Sequence, residues 1–512
     1  MGQSADLPSA HAVSWLLRMN RLHGPDDELT TVRNFAVALS AHRGGTPVTP
    51  SRISRWETAQ AAVGTADIVG YEQVLGISAG HLVTVADLVR RPASSPPAAP
   101  MCQVQELLER AIGGGYLHCT EWMKISAALT TPTHALMRRA EWQVLVNRLL
   151  VETSVARGWR YVPRFTALEH LGAHPEAARP IVESVDALLR DHYTQVLIDP
   201  VALLSRIPFT QASTVLYRHL TDPCGERVLH ATLIGWGLRS ASCRLSTDVR
   251  QRLADVAGAV LTDRTVSAAT RSAAADLIAA LRPLGGLTLA APVRRQLDVE
   301  FRAMVATRSR VPEDTAGLVV GNLVNAVSSG LRVVHDEDPV LPHVLAAALF
   351  SSSVERKVNA GLLLAATPLK ALVADALART LGERTAMGTA VAEGMVDLLG
   401  VTGDHRHRGA LETVLADPQT PDGVAARAAM SLGHLPGRTP SALWLSALDR
   451  CTASAVQRAV LYGAGMTADV DLLDIVAAAP ERDSSVREGA RWWRREELRD
   501  QVSMQLGEIS RP

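Results

Sequence analysis

With 512 residues, 47% of them hydrophobic and 20% charged, the chain is too long for one small domain and too apolar for wholesale disorder. Aromatic residues make up only 4%, so Leu, Ala and Val must fill the core, a composition that favours helices. Lys plus Arg and Asp plus Glu number 52 each, which excludes a whole-molecule basic field and confines any nucleic-acid contact to a local surface.

The basic residues are nearly all Arg, Lys standing only at positions 124, 357 and 370, a bias to which the sequence alone attaches no function. The five cysteines, Cys102, Cys119, Cys224, Cys243 and Cys451, are odd in number, scattered and never spaced as CxxC. They read as buried free thiols, with neither a disulfide framework nor a zinc knuckle. The opening MGQSADLPSAHAVSW has no basic and then apolar leader, and no stretch approaches the ~18 apolar residues of a membrane span. A cytoplasmic protein with no membrane partner is expected.

In chain order, Trp15–Leu22 reads as a first helix. Thr31–Ala41 reads as a second, with Val32, Phe35, Ala36 and Leu39 inward. His42–Val48 is a turn. In Val48-Thr-Pro-Ser-Arg-Ile-Ser-Arg-Trp-Glu57, Thr49 caps a third helix and Pro50 occupies its first position, where the missing N–H costs nothing. At 100° per residue Ile53 and Trp56 share one face, while Ser51, Ser54, Arg55 and Thr58 cluster on the other with Arg52 at its edge. That outward set suits the major groove of double-stranded DNA, since Arg donates twice to guanine and Ser or Thr bonds bases or phosphates. Asp67–Leu75 is a fourth helix, and a fifth runs from Ser78 to near Arg91.

Residues Thr49, Ser51 and Ile53-Ser-Arg-Trp-Glu57, followed by Tyr71-Glu-Gln-Val-Leu-Gly-Ile-Ser78 and Leu82, resemble the helix-turn-helix domain of the Cro and phage-repressor type, the XRE family. The resemblance covers about residues 10 to 91. It implies that the third helix enters the major groove, with base contacts by Ser51, Arg52 and Arg55 and phosphate contacts by Thr30, Thr31 or Arg33; Ile53 and Trp56 would be core and Glu57 would pair locally. The DNA-binding set is thus Thr30, Thr31, Arg33, Thr49, Ser51, Arg52, Ser54, Arg55 and Thr58. The chain departs from the family in a longer second turn, with Gly44, Gly45 and Pro47, and in Thr58-Ala-Gln-Ala-Ala62 where a Gly usually follows Trp-Glu. Residues 1 to 91 carry eight Arg against eight acidic residues, so nonspecific affinity is expected to be modest.

Arg90-Arg-Pro-Ala-Ser-Ser-Pro-Pro-Ala-Ala-Pro100 breaks the pattern, giving a reader domain over 1–91, a linker over 92–100 and a long helical part over 101–512. There a phrase recurs. Val228–Gly237 and Val456–Gly465 match at five of ten positions, with looser copies at Val424, Val354 and Val486, each after a Ser-, Asp- or Thr-rich loop. This resembles HEAT-like repeats of antiparallel helix pairs stacked as an α-solenoid. The expected fold is therefore all-α: a helix-turn-helix domain of about five helices, then HEAT-like pairs.

No phosphate loop, dinucleotide fingerprint or nucleophile elbow is present, so no catalytic residue, cofactor or metal is assigned. His405 and His407 read as a solvated loop, His335-Asp-Glu-Asp338 as a turn and cap, and Arg487 to Arg495 as a terminal cap with Trp492 and Trp493 inward. The expected protein is a nucleoid-associated transcriptional regulator, a homodimer on an inverted repeat, whose repeats bind a peptide, small-molecule or protein ligand; repressors pairing such a reader with peptide-sensing helical repeats are similar in plan. The alternatives are an interaction scaffold and a repair protein gripping duplex with Arg138, Arg139, Arg206, Arg218, Arg294, Arg295 and Arg302.

Overall fold

The computed structural model describes residues 7–44, 46–90, 101–130, 137–282, 286–300, 309, 311–331, 338–383 and 388–509. The expected linker over 92–100, Arg302 and His335 lie outside them. The chain is all-α, as composition and periodicity predict: among the described residues there are 28 α-helices, and the only β pairing is an isolated bridge between Ser309 and Ser351.

The chain clusters into two compact units. One comprises Met1–Ser94, Arg157–Val162 and Ser309–Leu473; the other comprises Ser95–Ala156, Pro163–Arg308 and Asp474–Pro512. The first unit opens with α1 (Ser9–His23), α2 (Val32–His42), α3 (Pro50–Glu57), α4 (Thr65–Val74) and α5 (His81–Arg90). The second holds α6 (Met101–Ile112), α7 (Cys119–Leu129), α8 (Arg139–Ser154), most of α9 (Tyr161–Ala173), α10 (Pro175–Arg190), α11 (Ile198–Arg206), α12 (Thr210–Thr221), α13 (Glu226–Ser242), α14 (Thr247–Thr262), α15 (Ala268–Leu281) and α16 (Ala291–Glu300). The first resumes with α17 (Glu313–Ser329), α18 (Val340–Phe350), α19 (Val354–Ala365), α20 (Leu369–Gly382), α21 (Thr389–Thr402), α22 (Arg408–Ala416), α23 (Asp422–His434), α24 (Ser441–Arg450) and α25 (Ser454–Met466). The division falls within α26 (Val470–Ala478), and α27 (Ser484–Trp493) and α28 (Glu496–Ile509) complete the second unit.

Within each unit runs of alternate helices stack on one another. α19 packs on α21, α21 on α23 and α23 on α25, while α20 packs on α22 and α22 on α24. In the other unit α8 packs on α10 and α10 on α12, and α11 on α13 and α13 on α15. The helices of these runs so bury one face on a pair partner and another on the neighbouring pair, the packing that lets short Ala- and Leu-rich helices hide their apolar stripe. The five copies of the sequence phrase fall on α13, α19, α23, α25 and α27. Val228, Val424, Val456 and Val486 are buried, whereas Val354, the first residue of α19, is exposed. The polar loop caps the helix by side chain at Ser353 and Asp483 only; α13, α23 and α25 start on Gly225, Pro421 and Ala453 without one. Small residues let α23 and α25 touch: a Cβ on Gly463 would lie 2.5 Å from the Ala429 carbonyl oxygen.

The arginine bias has a structural use that the sequence reading missed. Several guanidinium groups reach the carbonyls at the end of a neighbouring helix. Arg148 donates to the carbonyls of Arg110, Ala111 and Gly115 at 3.1, 2.7 and 2.6 Å, closing α6. Arg239 donates to the Ser205 and Ile207 carbonyls at 3.0 and 2.9 Å at the end of α11, and Arg408 to those of Leu432 and Leu435 at 3.0 and 2.9 Å at the end of α23. A planar head with five donors spans several orphan carbonyls where an ammonium could not.

Helices α1 to α5 do not stand alone within the first unit. Trp15 donates its indole N–H to Asp338 Oδ2 at 2.6 Å, and Asn20 Nδ2 donates to the Ala366 carbonyl at 2.9 Å. The His81 ring stacks on Trp159 with centroids 4.9 Å apart and planes 16° apart. Burial, helped by the charges of Lys370 and Arg160, lowers the His81 pKa to about 3. Asp338 Oδ1 also accepts from the Val340 N–H at 2.9 Å, the cap expected of that acidic segment.

His405–His407 form a 3-10 turn instead of a solvated loop. His407 is buried, its Nδ1 accepting from the Asp404 N–H at 3.0 Å and its Nε2 lying 2.9 Å from Asp375 Oδ1. Trp492 and Trp493 are buried edge to face, 5.1 Å between centroids, with Arg494 on Asp474 at 2.6 Å and Arg495 on Asp191 at 3.0 Å, so Trp faces in and Arg out. Among the described residues no single helix is long and apolar enough to cross a membrane; α19 and α20 pass such a test only as a pair bent by 114°.

Candidate nucleic-acid interface

The third helix begins where its chemistry places it: Thr49 Oγ1 accepts from the Arg52 N–H at 3.3 Å and Pro50 fills the first position. Ile53 and Trp56 are buried, and Phe35 and Leu39 of α2 are buried with them. Ser51, Arg52, Ser54 and Arg55 are exposed on the opposite face. The helix ends in a left-handed turn. Ala59 adopts a left-handed φ of 59°, and the N–H groups of Gln60 and Ala61 return to the Arg55 carbonyl at 2.9 and 3.1 Å.

What roots this helix is a buried polar knot. Glu57 is 6% exposed, and its two carboxylate oxygens accept from Arg21 of α1, Nε at 2.8 Å and Nη2 at 2.6 Å, while the Tyr71 hydroxyl of α4 donates to Oε1 at 3.1 Å. A further Arg21 N–H bonds the Thr30 carbonyl. The C-terminus of α3 is thus tied to α1 and α4, and through Arg21 to the 3-10 turn Asp27–Thr30 that precedes α2. Burial, and after it the adjacent carboxylate of Glu57, raises the Tyr71 phenol well above its ordinary value, so Tyr71 stays a donor at every working pH.

Of the residues assigned to DNA contact, Thr31, Arg33, Thr49, Ser51, Arg52, Ser54, Arg55 and Thr58 are exposed and Thr30 is half-buried. Four of the hydroxyls are engaged with backbone: Thr30 donates to the Asp27 carbonyl at 2.7 Å, Thr31 caps α2 by accepting from the Asn34 N–H at 3.2 Å, Thr49 caps α3 by accepting from the Arg52 N–H, and Thr58 donates to the Ser54 carbonyl at 2.8 Å. The two arginines of α3 differ. The Arg52 guanidinium carbon lies 4.9 Å from the Trp56 ring centroid, with Nη2 4.0 Å from Asp67 Oδ2. No described residue pairs with the Arg55 side chain.

Sequence reasoning expected Glu57 to pair locally but did not find its partners, since Arg21 and Tyr71 are 36 and 14 residues away. It also missed Arg43 and Asp67, which bond at 2.7 Å from the turn and from the first turn of α4. An acidic residue in the first turn of a helix was the available signal for Asp67. Seven residues, Arg43 to Thr49, separate α2 from α3, against the ~3 to 4 of a tight helix-turn-helix connection. Elsewhere, Arg139, Arg206 and Arg218 are each paired, with Glu183 at 2.9 Å, Glu169 at 2.7 Å and Asp186, so those members of the supposed duplex grip are committed to carboxylates. Among the described residues no group of three or more His, Cys, Asp or Glu is arranged to hold a metal ion.

No protein-family model matches this chain, and no curated protein matches it. Among solved structures it is similar to human deoxyhypusine hydroxylase in complex with glycerol, at 17% identity and a TM-score of 0.33, over 64% of this chain and 99% of that one. An engineered protein follows at 13% identity and a TM-score of 0.19, over 96% of this chain and 99% of that one. Likenesses at these scores carry no inference about function.

Proposed function

We propose that the chain is a sequence-specific DNA-binding regulator of the XRE helix-turn-helix type, in which α3 reads a duplex and the helical repeats supply dimerisation or ligand sensing. The observation that carries this reading is the division of α3 into a rooted side, Ile53, Trp56 and Glu57, and an exposed side, Ser51, Arg52, Ser54 and Arg55. A rigid short helix offering guanidinium and hydroxyl donors has the dimensions and the donors of a major-groove reader. The docking of the five-helix segment onto the repeats of the first unit uses Trp15, Asn20 and His81 of α1 and α5, and so spends none of the α3 outer face. The regulator works as a dimer, because one such helix reads too few base pairs for specificity. The reading gives the chain a binding role with no catalytic step and places it at the nucleoid.

The test is selection of duplexes from a randomised library by the full-length chain, followed by footprinting. An inverted repeat should emerge, and Arg55→Ala should cost about 10- to 100-fold in preference for the selected site. Enrichment of no sequence would refute the reading. The neutrality of the first 91 residues favours one other function, an interaction scaffold with α3 as a docking face. A scaffold would keep its protein partner after joint replacement of Arg52 and Arg55 by Ala and would select no duplex.

A further inference from the structure

Asp67 holds two arginines from different parts of the fold. Its side chain, 10% exposed, lies in the first turn of α4. Oδ1 accepts from Arg43 Nη1 at 2.7 Å, out of the turn before α3, and Oδ2 faces Arg52 Nη2 at 4.0 Å, out of α3 itself. Both cations keep contact with water: the Arg43 side chain is 28% exposed and that of Arg52 49%. Two guanidinium groups braced on one carboxylate leave the trio with a net positive charge, and Arg43 commits only one of its five donors to Asp67. Trp56 packs against the Arg52 guanidinium and adds a cation–π restraint. The Arg52 head is therefore drawn toward α4, whereas Arg55, without any partner among the described residues, is left to extend outward.

We infer that Arg43 and Arg52, braced on Asp67, form a preset clamp for a backbone phosphate of duplex DNA, leaving Arg55 as the base-reading guanidinium of α3. This rests on the DNA-binding reading above and revises the expectation that Arg52 reads a base. A phosphate oxygen meeting two guanidinium groups already drawn to one carboxylate gains charge-assisted hydrogen bonds at a smaller cost in ordering two long side chains. In a segment with as many acidic as basic residues, such a pair supplies locally the attraction that net charge does not.

The experiment uses the full-length chain and a mixed-sequence 30-base-pair duplex, with binding followed by fluorescence anisotropy from about 50 to 200 mM salt. Arg43→Ala and Arg52→Ala should each weaken binding alike on all sequences and reduce the salt slope by about 1, so that each variant loses about 3- to 4-fold less affinity across that range than the parent. Arg52→Lys, which keeps the charge, should hold the parental slope. Arg55→Ala should instead alter which sequences the library selection enriches. If the parent binds duplex but Arg43→Ala and Arg52→Ala keep its slope, or if Arg52→Lys loses slope as Arg52→Ala does, the clamp is overturned while the DNA-binding reading stands. If the parent binds no duplex, both fall.

Discussion

Replacing Glu57 by Ala should loosen α3 while leaving its outward face chemically untouched. In the native chain the Glu57 carboxylate receives three hydrogen bonds, two from Arg21 and one from Tyr71, all inside the fold. Removing it strands a guanidinium whose remaining bond is to the Thr30 carbonyl, and strands a buried phenol as well. Breaking a buried pair by deleting one partner costs about 3 to 5 kcal/mol, because the surviving charge stays desolvated. At about 1.4 kcal/mol per tenfold, opening of α3 should rise by roughly 100- to 1,000-fold or more. Hydrogen exchange of the full-length chain, followed by mass spectrometry on peptides covering Ile53–Glu57, reads that opening directly. The triple replacement Arg21→Leu, Glu57→Leu and Tyr71→Phe removes the whole knot and should recover most of the protection, since buried pairs exchange with apolar side chains at little net cost. A change below about threefold for Glu57→Ala, or a triple variant as labile as the single one, would refute the claim that this knot roots α3.

Two further outcomes follow from the same unit. Ala59 sits at a φ of 59°, where an L side chain costs about 1 to 2 kcal/mol, so Ala59→Gly should protect the α3 amides by about 1 kcal/mol after the entropy of Gly is subtracted; weaker protection would show that the left-handed turn is not strained. His81 has its pKa lowered from 6.5 to about 3, so below pH 6.5 the released imidazole takes a proton that the stacked one refuses. Docking of α5 should be at full strength above pH 6.5 and weaken by about 1.4 kcal/mol per pH unit below it, about 2 kcal/mol by pH 5. His81→Phe, which keeps the stack on Trp159, should remove this weakening at low pH, leaving the opposite trend of Asp87 on α5 and of Glu72, which accepts from the Gly80 and Val83 N–H groups, both carboxyls being raised by burial. An unchanged pH dependence in that variant would reject the role of His81.

The candidate interface was legible in the sequence to the depth of one helix. The Thr-Pro start, the Ile53 and Trp56 spacing and the exposed Ser51, Ser54 and Arg55 all follow from a 100° period and local capping, and the structure places each on the expected face. The difference between Arg52 and Arg55 was not legible, because it depends on Asp67 and on the ring of Trp56 reached in three dimensions. His407 was misread for a similar reason: its neighbours in sequence are charged, but its burial is set by packing near Asp375, 32 residues away.

What the amino-acid order determined by itself is the all-α class, the first five helices and the recurring Val-led phrase, since these are properties of side chains within one or two turns of each other. Only the tertiary structure decided which helices stack in alternate rows, that arginines such as Arg239 and Arg408 close the ends of other helices, and that α1 to α5 rest on the repeats of the first unit through Trp15, Asn20 and His81. Those contacts join residues up to 346 positions apart. A periodic pattern specifies which face of a helix is buried but not which of many similar apolar faces covers it, and that choice is made by shape and by polar groups that must find partners once water is gone.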